Sequence, residues 1–132
     1  MTLQSHFQVI VPDMRHLGES PLSVEGIAFA GRIYQAVFNL PQDLAENEYS
    51  YLQCRTLHNQ VNNKKFFINS QLVENFLEPH PIIRTEWILE GTVIPKGWLK
   101  PGENSLIVGF ADENVDDFII DDIVLWYKTT SS

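Results

Sequence analysis

Seven carboxylates crowd the stretch from Glu103 to Tyr127, and no Lys or Arg stands among them: Glu103, Asp112, Glu113, Asp116, Asp117, Asp121 and Asp122. A hard cation such as calcium takes about six to eight oxygen ligands, several of them carboxylates. Asp112, Glu113, Asp116 and Asp117 form one candidate loop site, although their spacing is not that of an EF-hand. Paired acids such as Glu113 and Asp116 also serve glycoside hydrolysis. An exposed acidic loop, however, gives no reason for a raised pKa. The chain has no Gly-x-Ser-x-Gly, no His-Glu-x-x-His and no phosphate loop. No enzyme is therefore expected. The same acids repel phosphate, which argues against nucleic acid and anionic membrane and favours a cation or a basic protein surface. A solvated loop that keeps the protein soluble is the plainer expectation.

A second chemistry is sugar recognition. Such sites stack a flat aromatic on the apolar face of a pyranose and ring it with Asn, Asp, Glu or His. Trp87, His58, Asn62 and Asn63 stand at strand ends or loops where such a site is expected, while Trp98 and Trp126 read as packing residues. Cys54 and His58 do not pair as metal ligands. On a strand they share a face but lie ~13 Å apart, since each residue rises about 3.3 Å. Cys54 reads as a small buried apolar residue.

These groups must be positioned by strands. Apolar residues make up 44% of the 132-residue chain, enough for one domain with a real core, taken as residues 1–132. Short β-prone runs at 7–11, 31–40, 49–58, 65–68, 71–73, 87–94 and 105–110 are separated by Pro, Gly, Asn and Ser. Tyr34, Ala36, Phe38 and Leu40 alternate onto one face, as do Leu106, Val108 and Phe110. Asn69 and Ser70 predict a tight two-residue hairpin turn. Gly91 is expected to mark a bulge. Residues 14–23 read as loop and 44–48 as one helical turn. No amphipathic helix competes, so the fold class is all-β, a sandwich of about eight antiparallel strands.

The last strand, 118–127, has an unusual pattern. Strict alternation puts Phe118, Ile120, Val124 and Trp126 on one face and Ile119, Ile123, Leu125 and Tyr127 on the other. Each face carries one acid, Asp122 and Asp121 respectively. Both faces are apolar, whereas a sandwich strand ordinarily has one wet face. Something is expected to cover the outer face: another segment, a ligand or a second copy. Val124 and Trp126, or else Leu125 and Tyr127, are the expected interface.

The C-terminal half resembles the galactose-binding-like jelly rolls that include many carbohydrate-binding modules. The matching pieces are Phe67 to Ser70, Val93 to Pro95, Trp98 to Asn104 with its Pro101 and Gly102 turn, and Asp116 to Leu125. Together they cover roughly residues 31–127. Ser70 stands where the family usually has Gly. The resemblance implies a jelly-roll fold and a non-catalytic, carbohydrate-binding role. It also implies that Asp121 helps hold a structural calcium with N-terminal acids, for which Asp13 or Glu19 are the candidates here. Within the Pro101 turn, Asn104 is placed to satisfy loose backbone groups.

A rival function is a structural or protein-interaction subunit, homo-oligomeric or docked on another protein. Residues 1–6 lack the basic and apolar regions of a signal peptide, which predicts a cytoplasmic home and favours this rival. The single Cys54 rules out an internal disulfide framework. No apolar run approaches the ~18 residues that span a bilayer, so no membrane is expected.

Overall fold

The computed structural model describes residues 2–11, 13–19, 27–57, 59, 63–77, 87–113 and 117–131. Ten strands run in order: β1 (Thr2–Val11), β2 (Arg15–Leu17), β3 (Ala28–Gly31), β4 (Tyr34–Leu40), β5 (Ser50–Leu57), β6 (Lys64–Ile68), β7 (Gln71–Leu72), β8 (Ile88–Ile94), β9 (Gly102–Phe110) and β10 (Phe118–Ser131). The larger sheet has the order β3-β2-β10-β5-β8, and β1 pairs with the second half of β10. The smaller sheet has the order β4-β9-β6-β7. The two pack as a β-sandwich of the jelly-roll type, as the sequence predicts.

Period-two alternation builds the core between the sheets. Leu52 and Cys54 of β5, Phe66 and Ile68 of β6, Leu106 and Val108 of β9, and Phe118 and Ile120 of β10 are fully buried. Each large apolar side chain buried this way contributes about 1.5–3 kcal/mol. Phe38 and Leu40 close the β4 side, with Tyr34 and Ala36 packed on the same cluster.

The β6–β7 hairpin turns on Asn69 and Ser70, with φ of 47° and 66°. Two left-handed residues match the right-handed twist of the flanking strands. The Asn69 side chain does further work: its amide donates to the Trp98 carbonyl (2.9 Å) and to Asn104 Oδ1 (2.8 Å), and its oxygen accepts from the Ser105 N–H (2.8 Å). Asn104 in turn closes the Pro101 turn. Its Oδ1 accepts from the Lys100 N–H (3.0 Å), and its Nδ2 donates to the carbonyls of Lys100 (2.8 Å) and Gly102 (3.1 Å). Trp98 packs against the core beside this network.

Several expectations are corrected. The described residues form ten strands, short β2, β3 and β7 among them. Within 14–23, read as loop, Arg15–Leu17 is a strand, and it pairs with β3 in parallel. The run 31–40 is split by a turn at Arg32 and Ile33. Residues 44–48 form no helix; Leu44 instead bridges to Thr129. Gly91 is not a bulge, because the β5–β8 register runs unbroken from Ser50↔Ile94 to Thr56↔Ile88.

The bulge lies in β10. Its register against β5 shifts between Asp121 and Val124, and Asp122 has φ 46°. An extra residue there reverses the parity of everything after it. Phe118 and Ile120 face the core before the bulge, and Ile123 and Leu125 face it after. The core face therefore takes Phe118 and Ile120 from one apolar face read from the sequence and Ile123 and Leu125 from the other, while Ile119, Val124 and Trp126 stand on the outer side. Asp121 and Asp122 are not on opposite faces; both carboxylates meet Arg55 on the outer side.

Candidate binding site

The outer face of the larger sheet carries a cross-strand row. Phe7 of β1 lies opposite Trp126 of β10, Trp126 opposite Tyr51 of β5, and Tyr51 opposite Val93 of β8. Strands are about 4.8 Å apart, so the row spans ~14 Å. All four side chains are exposed, Phe7 at 60% and Trp126 at 42%.

The Tyr51 ring reaches across to the neighbouring strand. Tyr51 folds over Gly91: a methyl at that position would coincide with the Tyr51 hydroxyl and ring. Glycine inside a strand commonly marks such a close approach. Beside it the Trp126 indole N–H donates to Gln53 Oε1 at 2.8 Å, which fixes the ring. Phe7 packs against the Trp126 ring, with centroids 5.2 Å apart and planes tilted by 40°. Tyr49, Tyr51, Trp126 and Lys128 border an open depression of about 230 Å³, with Ser5 and Ser50 on its wall. Lys96 sits 5.0 Å over the Tyr49 ring.

Four residues beyond Tyr51 along β5 the same face carries Arg55. Its guanidinium joins Asp121 and also Asp122, the latter at 2.7 Å. It lies 5.6 Å from the centroid of the half-buried Trp87 ring. Asp121 is only 5% exposed, so a charge sits there because Arg55 pairs it.

The residues nominated for sugar binding are not gathered into one place. Trp87 belongs to the Arg55 cluster. Asn63 is buried, and its side chain is committed to Asp112 (Nδ2 to Oδ1, 3.2 Å) and to Lys64, whose Nζ donates to Asn63 Oδ1 at 3.0 Å. His58 and Asn62 lie outside the described residues. Trp126, read as a packing residue and with Val124 as one of the two expected interface pairs, lies on the outer face after the bulge. Val124 stands on that face too, whereas Leu125 is in the core and Tyr127 packs against it.

The three acids that the resemblance nominates for calcium are each joined to an arginine: Asp121 to Arg55, Glu19 to Arg32, and Asp13 to Arg15 at 3.6 Å. Asp117, from the loop group, holds His16 at 2.8 Å. Among the described residues no three of His, Cys, Asp and Glu gather as a metal cluster. A guanidinium between Asp121 and Asp122 does not fit a calcium there. Cys54 is fully buried, and desolvation pushes its thiol pKa up, so it is no nucleophile.

Sequence reasoning missed Tyr51, Gln53, Phe7 and Arg55, and it gave Gly91 the wrong role. Gly91 inside a β-prone run was the available signal, but its meaning depends on which strand lies beside β8, and that is a long-range fact.

No family model and no curated protein matches the chain. Among solved structures it is similar to one described as a family 35 carbohydrate-binding module from an environmental isolate. The identity is 16%, the match covers 100% of this chain and 98% of that one, and the TM-score is 0.53. At that identity the likeness shows the fold: a jelly-roll sandwich of the carbohydrate-binding-module type, in line with the resemblance carried by residues 31–127. No helix among the described residues is long and apolar enough to cross a membrane.

Proposed function

We propose that this protein is a non-catalytic carbohydrate-binding domain whose platform is the pair Tyr51 and Trp126. The carrying observation is that the Tyr51 ring leans over Gly91 beside the exposed Trp126 ring, two aromatics side by side on an open sheet face. A pyranose ring has an apolar C–H face that stacks on such a surface, and its hydroxyls need nearby polar groups. Gln53, Lys128, Ser5 and Ser50 supply them. The fold likeness to a carbohydrate-binding module supports the reading. Asp121 and Asp122 are both engaged by Arg55, which leaves neither poised as an acid catalyst.

Native gels cast with soluble polysaccharides test this. Retardation in at least one gel is expected, lost in Tyr51→Ala and Trp126→Ala. Equal mobility of wild type and both variants across the panel would count against it.

A second reading, a protein-interaction subunit, is favoured by one feature. Phe7, Leu89 and Val93 are 54–62% exposed around the platform, more apolar surface than a sugar alone requires. A partner protein or a second copy would cover them.

A further inference from the structure

We infer that the outer face of the larger sheet takes a neutral glycan chain several units long, lying along β5, with Trp87 and Arg55 as a second contact point beyond Tyr51 and Trp126. The inference rests on the carbohydrate reading and extends it to the class of ligand.

Three observations carry it. First, the two aromatic sites share one face of one sheet. Tyr51, Gln53 and Arg55 are successive outward residues of β5, and Arg55 bears on the Trp87 ring. Tyr51 and Arg55 are four residues apart, or ~13 Å. One pyranose ring cannot touch both, and a chain can. Second, the ground between them is low and polar. Gly91 has no side chain and lies under the hydroxyl end of Tyr51, and Gln53 faces outward opposite Gly91 in register. A glycan crossing there meets hydrogen-bonding groups without a steric wall. Third, the face has no net charge. Among the strand residues on it, Arg55 and Lys128 balance Asp121 and Asp122. The whole chain carries −8, so an anionic polymer gains nothing from the long-range field and finds no unpaired guanidinium here. A neutral polyhydroxyl chain is the chemistry that fits.

Arg55 then has two jobs. It neutralises two carboxylates, and it orients Trp87 by holding a cation against the ring face. The carboxylates keep the guanidinium on this side of the sheet, within reach of a bound hydroxyl.

Calorimetric titration of the full chain tests the inference, with cellobiose and cellohexaose, xylobiose and xylohexaose, mannobiose and mannohexaose, and polygalacturonate as probes. For at least one neutral series the longer sugar should bind about tenfold more tightly, one added stacking contact being worth on that order. Trp87→Ala should remove that advantage and leave the short sugar unchanged, and Trp87→Phe should restore part of it. Tyr51→Ala should weaken both lengths. Equal affinity for short and long sugars, an equal loss of both in Trp87→Ala, or tighter binding of polygalacturonate would overturn the inference while leaving the carbohydrate reading in place. If no sugar binds and light scattering instead shows a dimer that Phe7→Ser dissociates, the carbohydrate reading falls and the inference with it.

Discussion

The Tyr51 ring occupies the space that a side chain at Gly91 would need. The two residues are diagonal neighbours across β5 and β8, since Tyr51 pairs with Val93 and Gly91 with Gln53. An aromatic laid over a strand glycine covers backbone that the glycine leaves bare. It also fixes the angle at which the ring faces solvent.

Gly91→Ala should therefore act on binding more than on folding. A strand Gly to Ala change ordinarily stabilises by a few tenths to about 1 kcal/mol. Here the added methyl displaces the Tyr51 ring, so no gain in thermal midpoint is expected. Glycan affinity should fall about tenfold, as for loss of one stacking contact. Calorimetry with the bound sugar, beside a melting curve, reads both. Unchanged affinity would mean that the flat ring is not the platform.

Arg55 holds a buried carboxylate. Removing it in Arg55→Met leaves Asp121 without its cation at 5% exposure. A fully buried pair broken on one side costs about 3–5 kcal/mol, and an exposed one less than about 1. Arg55 is 41% exposed on its side chain, so a loss of about 2 kcal/mol is expected between those limits. The double variant Arg55→Met with Asp121→Asn should recover most of it. Urea unfolding of wild type, Arg55→Met, Asp121→Asn and the double variant measures the coupling.

Calcium should leave the wild-type melting temperature where a chelator leaves it. A ligand that binds only the folded state raises stability in proportion to the logarithm of its concentration over Kd. Asp121 and Asp122 already share one guanidinium, and a divalent ion would have to displace it. A rise in melting temperature with millimolar calcium would show that Arg55 yields its place.

What could be read from the chain divides along local and long-range lines. The hairpin at Asn69 and Ser70 was legible because turn chemistry is written in adjacent residues. The Asn104 turn was legible for the same reason. The strand core of β4 followed from alternation alone. The outer-face platform was not legible, because it depends on β1, β10, β5 and β8 lying side by side. The pairing of Phe7 with Trp126 joins the two ends of the chain. Gly91 was noticed and misread, since a glycine in a strand signals either a bulge or a close approach and only the neighbour decides. Trp87 was named from its residue type, yet its partner Arg55 was not.

Asn104→Ala should destabilise without touching the platform. Its side chain serves three backbone groups, the Lys100 N–H and the Lys100 and Gly102 carbonyls, and is itself buried at 1% exposure. Alanine leaves these groups unpaired, and it removes the acceptor that Asn69 Nδ2 uses. A buried unmet polar group costs about 1–3 kcal/mol, so a loss of about 3 kcal/mol is expected for the set. Denaturant unfolding gives the number. Glycan affinity measured well below the midpoint should match wild type.

The bulge in β10 resolves the puzzle of the two-faced strand, and it can be removed. Asp122 is the residue at positive φ, where the register against β5 shifts. Deleting Asp122 would restore plain alternation through the strand. Asp121 would stay outward and Ile123 would follow it inward, so Ile123 and Leu125 keep their burial and Val124 and Trp126 keep the outer face. The deletion should therefore keep its cooperative unfolding transition. Asp122→Gly is the matched control. Glycine accepts φ 46° without strain, and the substitution costs only the second carboxylate on Arg55, which is 42% exposed. Its thermal midpoint should stay within a few degrees of wild type, about what a loss under 1 kcal/mol moves in a domain of this size. A deletion variant that loses its cooperative transition while Asp122→Gly keeps it would show that Asp122 is not the extra residue, and the face-by-face account of Trp126 would then be wrong.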